Sequence, residues 1–136
     1  MRRIFRTVCA LDNLVMDIEP RSLTDEERAV LDLLLSPAVV GVDPLRQQAE
    51  DVAVTGCCSC GCPTIDLTPR RESPRAPGEA GVWPVAGRVD PVGDEPPQEV
   101  LLFVDDGRLS SLELVYYSES VPSAWPDLSK IRLWRN

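Results

Sequence analysis

Apolar residues recur at two different periods along the chain, and the change of period near residue 52 divides it into a helical and an extended part. Thr24-Asp25-Glu26-Glu27 has the form of a capping box, in which the Thr24 hydroxyl accepts from the Glu27 N–H and the Glu27 carboxylate reaches back to the Thr24 N–H. Val30, Leu31, Leu34 and Leu35 follow at i, i+1, i+4 and i+5, so a helix with one apolar face is predicted up to Ser36-Pro37. Asp43-Pro44 repeats the start signal, with Asp43 as N-cap and Pro44 in the first helical position, and Leu45, Gln48, Ala49 and Val52 give a short second amphipathic helix. Together these predict a helical hairpin with an apolar face to bury.

From Val52 onward the pattern is that of strands. Val52-Ala53-Val54-Thr55 and Thr64-Ile65-Asp66-Leu67 are predicted strands, and Val82-Trp83-Pro84-Val85 is a third that Pro84 confines to a sheet edge. Val100 to Val104 and Leu109 to Tyr117 flank Asp105-Asp106-Gly107-Arg108, a hairpin with Asp106-Gly107 as its turn. In the second of these strands Leu112, Leu114 and Tyr116 alternate with Ser111, Glu113, Val115 and Tyr117. One face should therefore meet the helices, and the other should be at least partly solvated.

Residues 69–97 carry seven prolines with Arg70-Arg71-Glu72 and Gly78-Glu79-Ala80-Gly81, a composition expected to form a mobile, solvated excursion between strands. Trp125, between Pro122 and Pro126, and Trp134 are expected to cap the core. The resulting expectation is an α+β fold: an N-terminal helical hairpin packed on one face of an antiparallel β-meander of about four to five strands. It forms one domain over residues 22–136, preceded by an extension over residues 1–21. A length of 136 residues suits one domain with a core of its own.

Charge narrows the partners. The formal net charge is -8, and the basic residues Arg2, Arg3, Arg6, Lys130, Arg132 and Arg135 sit at the two ends. Between residues 12 and 127 there are 22 acidic and 8 basic side chains, which repels phosphate backbones and favours a basic protein partner over nucleic acid. Asp105, Asp106, Glu113 and Glu119 around the hairpin are the candidate surface carboxylates. The N-terminal Met1-Arg2-Arg3 resembles the start of a signal peptide, but Arg6, Asp12 and Asn13 interrupt the apolar run, so no membrane segment and a cytoplasmic location are expected. Hairpin edges make a homodimer an open expectation.

Histidine is absent, which removes the commonest general base and the usual partner of a nucleophilic Ser or Cys. No nucleophile–base pair or phosphate-binding glycine loop is present, and carboxylate-only chemistry from Asp66 with Asp105 or Asp106 has no supporting spacing. A non-enzymatic protein without cofactor is the expectation.

One segment stands apart: Cys57-Cys58-Ser59-Cys60-Gly61-Cys62-Pro63 holds four of the five cysteines. Three readings are open. Cys57, Cys58, Cys60 and Cys62 are the right ligand types for zinc, although structural sites usually join two Cys-x2–4-Cys knuckles from separate parts of a chain. Cys-x-Cys can also close into a strained, easily reduced disulfide, but no neighbouring Lys or His lowers a thiol pKa. In the third reading the segment is extended, with Cys58, Cys60 and Cys62 on one face as small buried hydrophobes, and Gly61 and Pro63 mark a bulge or a turn between two strands.

The combination Cys58-Ser59-Cys60-Gly61-Cys62-Pro63-Thr64-Ile65-Asp66-Leu67, then Asp106-Gly107-Arg108-Leu109-Ser110-Ser111-Leu112-Glu113, then Tyr117-Ser118 and Trp125-Pro126 resembles a group of small bacterial proteins of unknown function, often from GC-rich genomes. The thirteen-to-one excess of arginine over lysine fits such an origin. The resemblance covers about residues 22–127 and carries no catalytic residue with it. By size and charge alone the chain is similar to immunity proteins of bacterial toxin systems. The expected function is an acidic interaction module, regulatory or immunity-like; the alternative is a thiolate metal-binding (zinc) or redox protein using the cysteine cluster.

Overall fold

The computed structural model describes residues 15–78 and 81–135. Its elements are β1 (Val15–Ser22), α1 (Asp25–Leu34), α2 (Val42–Ala49), β2 (Val52–Cys58), β3 (Ile65–Pro69), β4 (Gly81–Val82), β5 (Val85–Val89), β6 (Gln98–Asp105), β7 (Arg108–Tyr116) and β8 (Arg132–Arg135), with a 3-10 turn at Leu128–Lys130. The strands form one eight-stranded sheet in the order β1-β2-β3-β7-β6-β5-β8, with β4 pairing on β6, and every pairing is antiparallel.

The expected capping box is present in full: Glu27 N–H donates to Thr24 Oγ1 at 3.1 Å and Thr24 N–H to Glu27 Oε1 at 2.9 Å. Val30, Leu31 and Leu34 of α1 are buried with Leu45 of α2 against Val100, Leu102, Leu112 and Leu114 of the sheet. Each such aliphatic side chain contributes about 1.5–3 kcal/mol through removal from water. Trp83 Nε1 donates to the Leu34 carbonyl at 3.1 Å, which satisfies one of the orphan acceptors at the C-terminus of α1. The second helix begins slightly earlier than expected, with Gly41 as its N-cap at φ 91° and Asp43 inside the first turn.

The expected architecture is overturned in two respects. The helices are not N-terminal, because β1 precedes them, and the sheet has eight strands where four to five were expected. The expected extension over residues 1–21 meets β1 from Val15 onward; residues 1–14, with the basic Arg2, Arg3 and Arg6, lie outside the described residues. Strand β1 is an edge, and its register with β2 shifts between Asp17 and Arg21, the stretch that contains Pro20, which has no N–H to give the ladder. Likewise β4 and β5 arise within the proline-rich stretch 69–97, in which Glu79 and Ala80 lie outside the described residues. Between those strands Trp83 N–H still donates to the Leu102 carbonyl at 2.8 Å, and Pro84 interrupts the ladder. Both strands, with β8, are defined by what they pair with rather than by their own alternation.

Burial of β7 also departs from expectation. Ser111, Glu113 and Val115 are buried as well as Leu112 and Leu114, so both faces of this central strand are covered. Trp125 caps the core as expected, whereas Trp134 is half-exposed on β8 with Arg88 4.0 Å above its ring. Among the described residues no helix is long and apolar enough to cross a membrane.

Candidate functional site

Strand β2 ends at Cys58, and the chain turns back into β3 at Ile65 through a bend that contains the remaining cysteines of the run. Gly61 N–H donates to the Cys58 carbonyl at 3.3 Å, closing a β-turn over Cys58-Ser59-Cys60-Gly61. Gly61 sits at φ +92° in open space, a left-handed conformation that a side chain would resist for conformational reasons alone. Cys58 N–H donates to the Thr64 carbonyl at 3.3 Å and closes the base of the loop. The cysteine run is therefore part strand and part turn: the turn allowed at Gly61 is present, and the placing of Cys58, Cys60 and Cys62 along one extended face is corrected, because the strand ends at Cys58.

This turn brings sulfurs together that a strand would have spread apart. The Sγ atoms of Cys58, Cys60 and Cys62 all lie within 4.8 Å of one another, and the Cys58 and Cys60 sulfurs are 3.1 Å apart. Cys57 is not one of this group. It lies one residue earlier in β2, where the pleat sends alternate side chains to opposite faces. Cys58 is disulfide-bonded, whereas Cys57, Cys60 and Cys62 form no disulfide.

The sulfurs are also surrounded by hydrogen-bond donors. Cys60 Sγ accepts from the Cys62 N–H at 3.4 Å and from the Tyr116 hydroxyl at 3.7 Å. Cys62 Sγ accepts from the backbone N–H and the hydroxyl of Thr64. Burial pushes the Cys62 thiol up, and the nearby Cys60 adds to the rise, while the two Thr64 bonds act in the opposite sense without cancelling it. Cys58, Cys62 and Tyr116 form a small buried cluster of their own, with Cys60 packed on it, apart from the main core.

The sequence-derived surface set is not assembled into a patch. Asp105 and Glu119 are exposed; Asp106 is exposed and engaged by Arg75 at 2.8 Å; and Glu113 is fully buried, accepting from the Ser111 hydroxyl at 2.9 Å. Asp66 lies within β3 opposite Ser111, whereas Asp105 and Asp106 are at the hairpin tip. Thr64 and Tyr116 were missed as partners of the cysteines. Thr64 stood in the sequence only as a strand residue, and Tyr116 is 56 positions from Cys60, a separation that no local pattern bridges.

No family model, no curated protein and no solved structure matches the chain.

Proposed function

We propose that this is a non-enzymatic module built around a thiolate metal centre, in which Cys58, Cys60 and Cys62 of the reduced chain hold a zinc ion. The observation that carries the reading is the convergence of the three sulfurs within 4.8 Å. Zinc–thiolate bonds of about 2.3 Å in a tetrahedron put sulfurs about 3.8 Å apart, so small side-chain rotations suffice to reach ligand geometry. The bonds from the Cys62 N–H, Tyr116 and Thr64 place donors on sulfur, an arrangement that supports thiolate ligands and fixes their orientation. Soft ligands and a chain without histidine favour zinc or copper(I) over magnesium or calcium.

Bound there, the ion would tie the β2–β3 turn to Tyr116 of β7 and contribute its binding energy to the fold. Native mass spectrometry of the reduced protein with zinc tests the reading. One retained zinc, together with protection of Cys58, Cys60 and Cys62 but not Cys57 from alkylation, is the expected result. A metal-free mass with all cysteines alkylated at one rate would overturn it.

The second reading is that the acidic body engages a basic protein. It is supported by the net charge of -8 and by the exposure of Asp105 and Glu119. Binding of a basic partner that weakens as salt rises is expected; binding indifferent to salt would count against it.

A further inference from the structure

We propose that the outer edge of β8 takes an extended, acidic segment of another protein as an added strand. Arg132-Leu133-Trp134-Arg135 pairs with β5 on one side and ends the sheet, and among the described residues no strand pairs on its other side. Alternate backbone N–H and C=O groups along that side face outward and offer a ladder to a further strand. All four residues of β8 are exposed, yet the strand is held at its base. Ile131 packs against the core, and Gly87 leaves room for it, because a Cβ at position 87 would lie 2.6 Å from Ile131 Cγ2.

Charge selects the partner. From Leu128 to Arg135 there are three cations and no carboxylate, in a chain whose net charge is -8. At physiological salt, charges farther away than about 8 Å are largely screened, so an incoming strand meets these cations before the acidic body. Arg132 bonds Asp90 at 2.7 Å through Nη2, but this pair is exposed and adds little, and a guanidinium has five donors with which to meet a second carboxylate.

Register gives the sequence that fits. Arg132 lies opposite Arg88 and Trp134 opposite Ala86, so Arg132 and Trp134 share one face of the sheet, while Leu133 and Arg135 share the other. Each face then offers one cation and one apolar side chain. The complement in either strand direction is acidic-apolar-apolar-acidic. A second copy of β8 is a poor complement, since antiparallel pairing centred between Leu133 and Trp134 sets Arg132 against Arg135 twice. A groove of about 380 Å³, lined in part by Asp90, Val92, Glu95, Tyr117 and Lys130, adjoins the start of β8 through the Asp90–Arg132 bond. Its exposed Val92 and Tyr117 give an apolar wall to the next side chain of the added strand.

Fluorescence anisotropy with a labelled peptide of core Glu-Ile-Val-Glu tests this. The wild type should bind that peptide at least about tenfold more tightly than a Lys-Ile-Val-Lys peptide, and Arg132→Glu/Arg135→Glu should reverse the preference. Both substituted positions are exposed on the edge strand, and far-ultraviolet circular dichroism should show the fold of the variant unchanged. Strand addition is separated from plain charge attraction by N-methylating alternate backbone nitrogens of the peptide. One of the two registers should lose about tenfold or more in affinity and the other should bind like the parent. Absence of binding by the wild type, an unchanged preference in the double variant, or equal affinity of both N-methylated forms and the parent would overturn the proposal. Displacement of the peptide by an equal concentration of a single-stranded oligonucleotide would also overturn it, by showing a phosphate site in place of a peptide site.

Discussion

The hydroxyl oxygen of Thr64 accepts the N–H of Leu114 at 3.0 Å, joining the end of the cysteine turn to the middle of β7. Thr64 is almost wholly buried, and its hydroxyl also hydrogen-bonds the Cys62 thiol. Thr64→Val keeps the shape but leaves a buried N–H without its acceptor, which costs about 1–3 kcal/mol. Denaturant unfolding should show this loss in the metal-free protein. Zinc affinity should fall as well, because Cys62 loses a donor; an unchanged affinity would separate Thr64 from the site.

Gln48 performs a similar role between α2 and the hairpin. Its side chain donates to the carbonyls of Pro74 and Gly107, each at 2.9 Å, and accepts from the Leu109 N–H at 2.8 Å. The sequence placed Gln48 on the apolar face of a helix, and the structure shows why a polar group is buried there: it completes the hydrogen bonding where the hairpin turn meets the helix. Gln48→Leu should destabilise the fold by about 2–3 kcal/mol, since it strands buried backbone groups. A midpoint shift at constant denaturant slope is the expected signature.

Gly107 follows Asp106 in the β6–β7 turn, with φ 71° after φ 55°, the paired left-handed geometry of a type I′ hairpin turn. A Cβ at position 107 would lie 2.6 Å from the Ala76 carbonyl oxygen and 2.7 Å from Arg75 Cβ. Gly107→Ala therefore combines about 1–2 kcal/mol of left-handed strain with a backbone clash. The expected result is a larger stability loss than for Gly61→Ala, whose site shares the positive φ but has no neighbour within 4 Å. Thermal unfolding of the two variants side by side checks the order.

Arg21 and Glu27 link β1 to the start of α1 through bonds of 2.8 and 3.0 Å. Burial alone would raise the Glu27 carboxyl, but the Arg21 hydrogen bond, the two Thr24 bonds and the Arg21 charge outweigh it and hold the carboxyl below its ordinary range. A depressed folded-state value means that the contribution to stability is complete above the unfolded-state value, about 4.3, and is lost as pH falls through the folded one. Stability of the wild type should drop across that acidic window more steeply than that of Glu27→Gln, which keeps the cap but not the charge. Parallel slopes in the two pH profiles would show that the pair does not act through ionisation.

Most local structure was legible where residues one to five positions apart do the work. The capping box, the apolar face of α1 and the Asp106-Gly107 turn are such cases, because their physics is contained in one short segment. Strands β1, β5 and β8 were not legible. Their residues alternate weakly, and β8 is exposed along its whole length, so pairing with β2, β6 and β5 defines them, and pairing is a long-range property.

The cysteine segment divides in the same way. By itself the sequence determined the ligand types, their crowding into six positions and the absence of any histidine to share the work. It also contained the glycine that permits a left-handed step at position 61. What only the tertiary structure decided is where the sulfurs point. A strand would have spaced Cys58, Cys60 and Cys62 along one face, whereas the turn closed by the Gly61–Cys58 bond draws them together, with Thr64 and Tyr116 as donors. Strand or turn was settled by the need of β2 to reverse and pair with β3, and that need comes from burying the sheet against the two helices.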